Sequence, residues 1–322
     1  MDFLGQRMPY VTAFSKALGT GMMISADSPI DDKVRSAMES LIEDYEHVLS
    51  RFRNDSLIAA IGKAEHGGSF DFPDWCAPLF DLYDALFSAT SGAIDPCVGE
   101  DLIRLGYDAS LSFTVTQDAP EHLGALRGRA VWGRDVTRHG TTLVTHEPVQ
   151  LDFGACGKGY LVDLLGRMLQ SSQFVIDAGG DLLIHAEQPI SVALEDPEDQ
   201  SHAIGIAHIA NGALCASAPS RRHWNVAVNE RTQIAIHHLL NAIDGLPAQQ
   251  TEASWAYVPA NATPDIARDY PTAVTDGLAT ALFVSDATQL QRTFDFAYAT
   301  LNESRQIAAS RNFPAELFLR SA

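Results

Sequence analysis

The segment LDFGACGKGYLVD, residues 151–163, constrains this chain more than any other. An apolar stretch ending in Leu151 reads as a strand, Gly154, Gly157 and Gly159 as a turn, and GYLVDLLGRMLQ (159–170) as the helix that follows at once. Glycines let a backbone approach a ligand closely, and exposed N–H groups at a helix start favour anions. Lys158 adds a positive charge, Asp152 a carboxylate and Ala155 a backbone carbonyl. The residue order is neither G-x-x-x-x-G-K-[ST] nor G-x-G-x-x-G. On these residues alone, close packing and ligand binding both remain open.

The rest of the chain alternates strand-like and helix-like segments without a fixed repeat. GTGMMISA (19–26) suits a strand, and DDKVRSAMESLIEDYEHVLS (31–50) lines Val34, Met38, Leu41, Ile42, Tyr45, Val48 and Leu49 along one helical face. WCAPLFDLYDALFSATSG (75–92) reads as a second amphipathic helix stopped by Gly92, and 106–150 as short strands and loops. FVIDAGGDLLIHA (174–186) reads as one strand broken by a glycine pair, followed by strand-like ISVALE, IGIAHI, GALCASA and ASWAYVPA. TDGLATALF (275–283) opens a helix with Thr275 or Asp276 as its cap. FDFAYATLNESRQIAA (294–309) reads as a further helix, and AELFLRSA (315–322) as a terminal strand. The expectation is one α+β domain over 1–322, with mixed or antiparallel sheets packed with helices in two intimately associated halves.

Acidic residues outnumber Lys and Arg by 41 to 22, a formal charge of −19, which argues against a nucleic-acid or anionic-membrane partner. A nucleotide ligand is still compatible, because a metal ion and a few N–H groups hold one pyrophosphate. Cys76, Cys97, Cys156 and Cys215 form no C-x-x-C pair; they suggest neither zinc nor a disulfide framework and fit a reducing compartment. MDFLGQRMPYVTAF lacks the pattern of a signal peptide, and no uncharged apolar run approaches the roughly 20 residues that span a bilayer. The expected location is cytoplasmic.

Four further segments could carry chemistry. In TDGLATALF, Asp276 and Thr280 stand four apart, so one helix face bears two oxygen-bearing side chains: a cap and a core hydroxyl, or ligands. In VIDAGGDLLI, Gly179 and Gly180 mark a bulge or backbone crossing, or the approach of a ligand near Asp181. IHHLLNAIDGLP holds the paired His237 and His238, which point to opposite faces of a strand and so do not share a metal; either could act as a general base. SRFRNDSLIAAIG (50–62) and SGAIDPCVG (91–99) have turn chemistry at helix-to-loop boundaries.

Taken together, these segments resemble the FAD:protein FMN transferase (ApbE-like) family, in family order from about Leu18 to about Phe283. LGTGMMI is similar to the family's first strand, and LSRFRNDSLIAAIG to Ser-Thr-Tyr/Phe-Arg-x-x-Ser-x-x-x-x-x-Asn, with Gly62 where Asn is usual. SGAIDPCVGEDLIRLGY resembles Gly-x-Phe-Asp-x-x-Val-Gly-x-Leu-x-x-x-Trp-Gly-Phe. LDFGACGKGYLVD resembles Asp-Leu-Gly-Gly-x-Ala-Lys-Gly-Tyr-x-x-Asp, IDAGGDLLI resembles Val-Asn-x-Gly-Gly-Asp, and CASAPSRR is a looser copy of Ala-Thr-Ser-Gly-x-x-x-Arg. The resemblance implies an ApbE-like, T-fold-like α+β architecture and FAD as substrate, with Mg²⁺ on its pyrophosphate. It implies metal oxygens from Asp276, Thr280 and the Ala155 carbonyl, and a flavin site lined by Asp152, Lys158, Ala93, Ile94 and Asp95. Phe52 takes the aromatic position beside the flavin, Leu18 replaces a usual Met, and Leu239 follows His238, the implied base.

The reaction implied is attack of an acceptor protein's Thr or Ser hydroxyl on the FMN-side phosphorus, with AMP leaving. Water in place of the acceptor would split FAD into FMN and AMP, and a flavin-binding protein without turnover is a further alternative. The family's His-x-x-Asp-Pro-x-Thr-Gly is HLLNAIDG here: Asn241 and Ala242 replace Asp-Pro, and Asp244 replaces Thr. Ala216 and Ala218 likewise replace a Thr and a Gly. Asn lacks the carboxylate's charge, so these departures bear on acceptor specificity and nucleotide affinity while the metal residues are intact.

Overall fold

The computed structural model describes residues 4–229 and 232–318. Its centre is a nine-stranded antiparallel sheet. Eight strands follow one another across it in chain order: β1 (Tyr10–Phe14), β2 (Met22–Ala26), β3 (Phe174–Asp177), β4 (Asp181–Glu195), β5 (Ala203–Ser217), β6 (Thr251–Pro259), β7 (Ala297–Asn302) and β8 (Ile307–Ala309). The ninth, β9 (Ala315–Leu317), pairs with β5 at 205–207, while β6 pairs with β5 at 212–217. Consecutive residues point to opposite faces, so Ile176, Cys215 and Ala256 join one buried cluster while Val175, Leu214 and Trp255 join another. Both faces are covered, which is why these strands read as nearly continuous apolar runs. A smaller sheet has three strands: Thr142–Thr145 and Val136–His139 lie within the expected region of short strands, and Gly68–Asp71, before it, pairs with Thr142–Thr145.

Four helices pack on the first face: α1 (Asp32–Leu49), α2 (Ala77–Ala89), α3 (Gly154–Gly166) and α4 (Pro271–Ala281). In α1 the Asp31 side chain accepts from Lys33 N at 2.7 Å, and Met38, Tyr45 and Leu49 recur at helical spacing on its buried face. The positioning of α3 against α4 depends on glycine. A Cβ on Gly159 would lie 2.3 Å from the Thr272 carbonyl oxygen, and one on Gly277 2.8 Å from Cys156 Sγ. Only bare backbone permits that approach.

Several expectations are corrected. The glycine stretch is the first turns of α3 itself, which begins at Gly154 rather than 159, and Leu151 ends no strand. The pair Gly179–Gly180 does not interrupt one strand; at φ of 70° and 104° it turns the hairpin between β3 and β4. ISVALE continues β4, and IGIAHI and GALCASA are one strand, β5. The expected helix at 294–309 is the β7–β8 hairpin, in which Ala297, Ala299 and Leu301 are buried in strict alternation. Its alanines, equally at home in a helix, hid the period of two. The α4 helix starts at Pro271, so Thr275 and Asp276 are interior residues and not caps. Its N-terminus is held from outside: Asp163 of α3 accepts from Thr272 N at 3.0 Å and Ala273 N at 2.8 Å. Of the expected terminal strand, Ala315–Leu317 forms, and 319–322 lie outside the described residues.

Candidate functional site

The crossing of α3 and α4 gathers the charged residues singled out in the sequence. Lys158, in the first turns of α3, lies 3.0 and 3.1 Å from the two carboxylate oxygens of Asp276 on α4, and 2.8 Å from Asp181 Oδ2 at the start of β4. Gly159 N, whose regular helical acceptor is the Ala155 carbonyl, donates to Asp276 Oδ2 at 3.1 Å. Both carboxylates are buried, whereas a third of the Lys158 side chain is exposed. Two buried carboxylates thus face one ammonium, and among the described residues no other basic group is ion-paired with either. Burial and the negative charge of Asp181 push the Asp276 carboxyl well above its ordinary range, against the pull of Lys158. Burial works against the Lys158 charge, but Asp181 and Asp276 outweigh it and hold the ammonium protonated.

Thr280 sits one turn beyond Asp276, with Oγ1 3.5 Å from Ser217 Oγ on β5. That contact is at the long limit for a hydroxyl pair, so the Thr280 oxygen is nearly uncommitted. Beneath the first turn of α3, Tyr45 of α1 donates to the Gly157 carbonyl at 2.7 Å. Burial also raises the Asp163 carboxyl, to about 7, against the two N–H groups it receives.

The two histidines divide their roles. His237 Nε2 donates to the Ala248 carbonyl at 2.8 Å while its Nδ1 accepts from Leu239 N at 3.2 Å, so both ring nitrogens serve the fold. His238 Nδ1 lies 3.1 Å from the Arg222 carbonyl, which can only accept, so Nδ1 carries the proton and Nε2 keeps a free lone pair. Burial lowers the His238 pKa to about 4, and Lys158 and Asp152 are close enough to act on its charge. The Tyr107 ring stands 6.4 Å from it.

The remaining expected residues fall into two groups. Asp152 accepts from Gly154 N at 2.6 Å and pairs with Arg51, whose guanidinium lies 4.2 Å from the Phe52 ring centre and 4.6 Å from that of Tyr107. The Phe52 ring is itself exposed, beside this group. Leu18, at a φ of 52°, donates its N–H to Glu46. Ala93, Ile94, Asp95 and Leu239 are buried. The Asp95 carboxylate accepts from Cys97 N and Trp132 N and pairs with Arg129, so it faces the protein rather than an opening. Burial raises its pKa. The Ala93 carbonyl accepts from Ala242 N, tying that loop to the one after His238. Asn241 accepts from Ile243 N at 3.0 Å and so closes its own turn.

Sequence reasoning missed Arg51, Tyr107, Asp101, Asp163 and Arg129. Asp163 had the one available signal, a charge within an apolar run, which in a folded chain demands a partner.

The architecture is shared with solved ApbE proteins. The ApbE protein of Thermotoga maritima superposes with a TM-score of 0.77 at 20% identity, over 95% of this chain and 99% of that one. The flavin transferase ApbE of Vibrio cholerae gives 0.73 at 17%, over 94% and 98%. At such identities the likeness is one of fold. In sequence, the FAD:protein FMN transferase of Treponema pallidum is 27% identical over 286 residues, 78% of this chain and 72% of that protein. The model of the ApbE family matches residues 18–300, and the chain belongs to that family.

Proposed function

We propose that the chain, acting as a single domain, transfers FMN from FAD to a Thr or Ser hydroxyl of an acceptor flavoprotein and releases AMP. The observation that supports this reading best is the Lys158–Asp276–Asp181 cluster at the glycine-packed helix crossing. Its two buried carboxylates share one ammonium, a balance that a proton on Asp276 or a bound cation completes. Asp276, Thr280 and the Ala155 carbonyl offer only hard oxygens, and among the described residues no three His, Cys, Asp or Glu come together to enclose a metal. Hard oxygen donors of this kind suit Mg²⁺, which keeps waters and takes substrate phosphate oxygens. Bound there, Mg²⁺ would neutralise charge that builds on the phosphates.

The chain's own residues then have separable tasks. Asp276, fixed by Gly159 N, holds its carboxylate in place, and Lys158 supplies a positive charge beside it. His238 Nε2 takes the hydroxyl proton as the acceptor oxygen forms its bond to the FMN-side phosphorus. The bond to the AMP phosphate breaks, and AMP leaves with the electron pair. With a pKa near 4, His238 is neutral and available at any pH above about 5. The free buried cysteines support a reducing, cytoplasmic setting, and among the described residues no helix is long and apolar enough to cross a membrane.

The test is incubation with FAD, Mg²⁺ and a panel of candidate acceptor flavoproteins, followed by mass spectrometry and assay for AMP. Covalent FMN on an acceptor with equal AMP is expected. FMN and AMP free in solution, with no acceptor modified, would make the chain a FAD hydrolase instead.

A further inference from the structure

Two of the three contacts made by the Lys158 ammonium fall on Asp276, and on both of its oxygens. An ammonium and a hard divalent cation seek the same lone pairs, and two cations on one carboxylate repel each other in a poorly screened site. Asp276 cannot turn away to accommodate both, because Gly159 N fixes Oδ2. Lys158 can. Its charge rides on a flexible four-carbon stem, a third of it is exposed, and Asp181 at 2.8 Å gives it a second carboxylate to rest on.

We infer that Lys158 is a positioning residue that holds the metal's place on Asp276 and yields it when a phosphate-bearing ligand draws the ammonium away, so that metal and nucleotide bind as a pair. Without a nucleotide the ammonium competes with the metal. With one, the phosphates give Lys158 a new partner and leave Asp276 free, and each ligand strengthens the other by the same factor. This rests on the metal and nucleotide reading of the site given above.

The test is calorimetric titration of the full chain with Mg²⁺, alone and with ADP as the nucleotide probe, corrected for Mg²⁺ held by free ADP. The wild-type protein should bind Mg²⁺ at least tenfold more tightly with ADP. Lys158→Met should bind Mg²⁺ alone at least tenfold more tightly than wild type, and its ADP effect should shrink by that same factor, leaving what the phosphate oxygens contribute as metal ligands. Asp181→Asn should shift metal affinity the other way, because the ammonium then rests on Asp276 alone. If Lys158→Met does not fold, the double variant Lys158→Met/Asp181→Asn keeps the charge balance and must show the same diminished ADP effect. Unchanged Mg²⁺ affinity in Lys158→Met, or an ADP effect there as large as in wild type, overturns the inference; if Asp276→Ala still abolishes binding, the metal site itself stands. No Mg²⁺ binding by wild type even with ADP would instead overturn the underlying reading.

Discussion

Arg129 lies between Asp95 and Asp101 much as Lys158 lies between Asp181 and Asp276, one basic side chain to two carboxylates in each case. The surroundings differ. Arg129 is wholly enclosed: it stands 2.8 Å from Asp101 and 3.4 Å from Asp95, and donates to the Ala130 carbonyl and to the Ala242 carbonyl at 2.7 Å. Burial raises the Asp101 carboxyl to about 6 even against this arginine. A planar guanidinium engaged on several sides fixes geometry, here the loop that follows His238. Lys158 is open on one side and is a mobile point charge. The same stoichiometry makes a clamp in one place and an exchangeable counter-ion in the other.

The comparison can be broken or sharpened by substitution. Asp276→Ala should have the largest effect, a loss of FMN transfer on the order of 10⁴-fold, since it removes several kcal/mol of charge stabilisation. Near-unchanged circular dichroism would show that the fold survives. Arg129→Met should lower unfolding free energy by about 3–5 kcal/mol, the usual result of stranding buried carboxylates, and denaturant melts would measure it. An equal loss in Lys158→Met would erase the distinction between clamp and counter-ion. His238→Gln should slow transfer by about a hundredfold to a thousandfold with little change in FAD affinity, as removal of a proton acceptor does.

A smaller effect is expected from pH. His238 has a folded pKa near 4 against about 6.5 in an unfolded chain, so the unfolded state binds more protons between those values. Its contribution to stability is complete above about pH 6.5 and is lost as pH falls toward 4. Asp163, raised to about 7, has the opposite sign: its contribution is complete below about pH 4 and is lost as pH rises through 7. The difference in melting temperature between wild type and His238→Gln isolates the first, and should shift against wild type on acidification. The smallest effect should be Asn241→Ala, about 1 kcal/mol by denaturant melt, because only a turn-closing hydrogen bond is lost.

The helix-crossing half of the site was more legible in the sequence than the histidine half. Lys158, Asp276 and Thr280 sit in α3 and α4, where glycine, charge and apolar spacing are local signals, so each segment stood out by itself; the family resemblance joined them, with Lys158 expected along the flavin rather than against Asp276. The hairpin turn at 179–180 was readable as a glycine feature but not as a change of strand, since burial on both faces removes the alternation that marks a boundary. From the residues alone His238 could not be separated from His237, and only the family resemblance named it, because the difference lies in which carbonyl each meets: Arg222 in one case, Ala248 in the other. Asn241 shows the converse. Its change from Asp reads as lost charge in the motif, yet in the fold its side chain accepts from Ile243 N, a turn function that Asn fulfils.

The most direct measurement of the central claim is the affinity for FAD, read from flavin fluorescence, with Mg²⁺ and with a chelator, in wild type and Asp276→Ala. The account predicts that Mg²⁺ tightens FAD binding in the wild-type protein and has no such effect once Asp276 is gone. The same Mg²⁺ dependence in both proteins would contradict it.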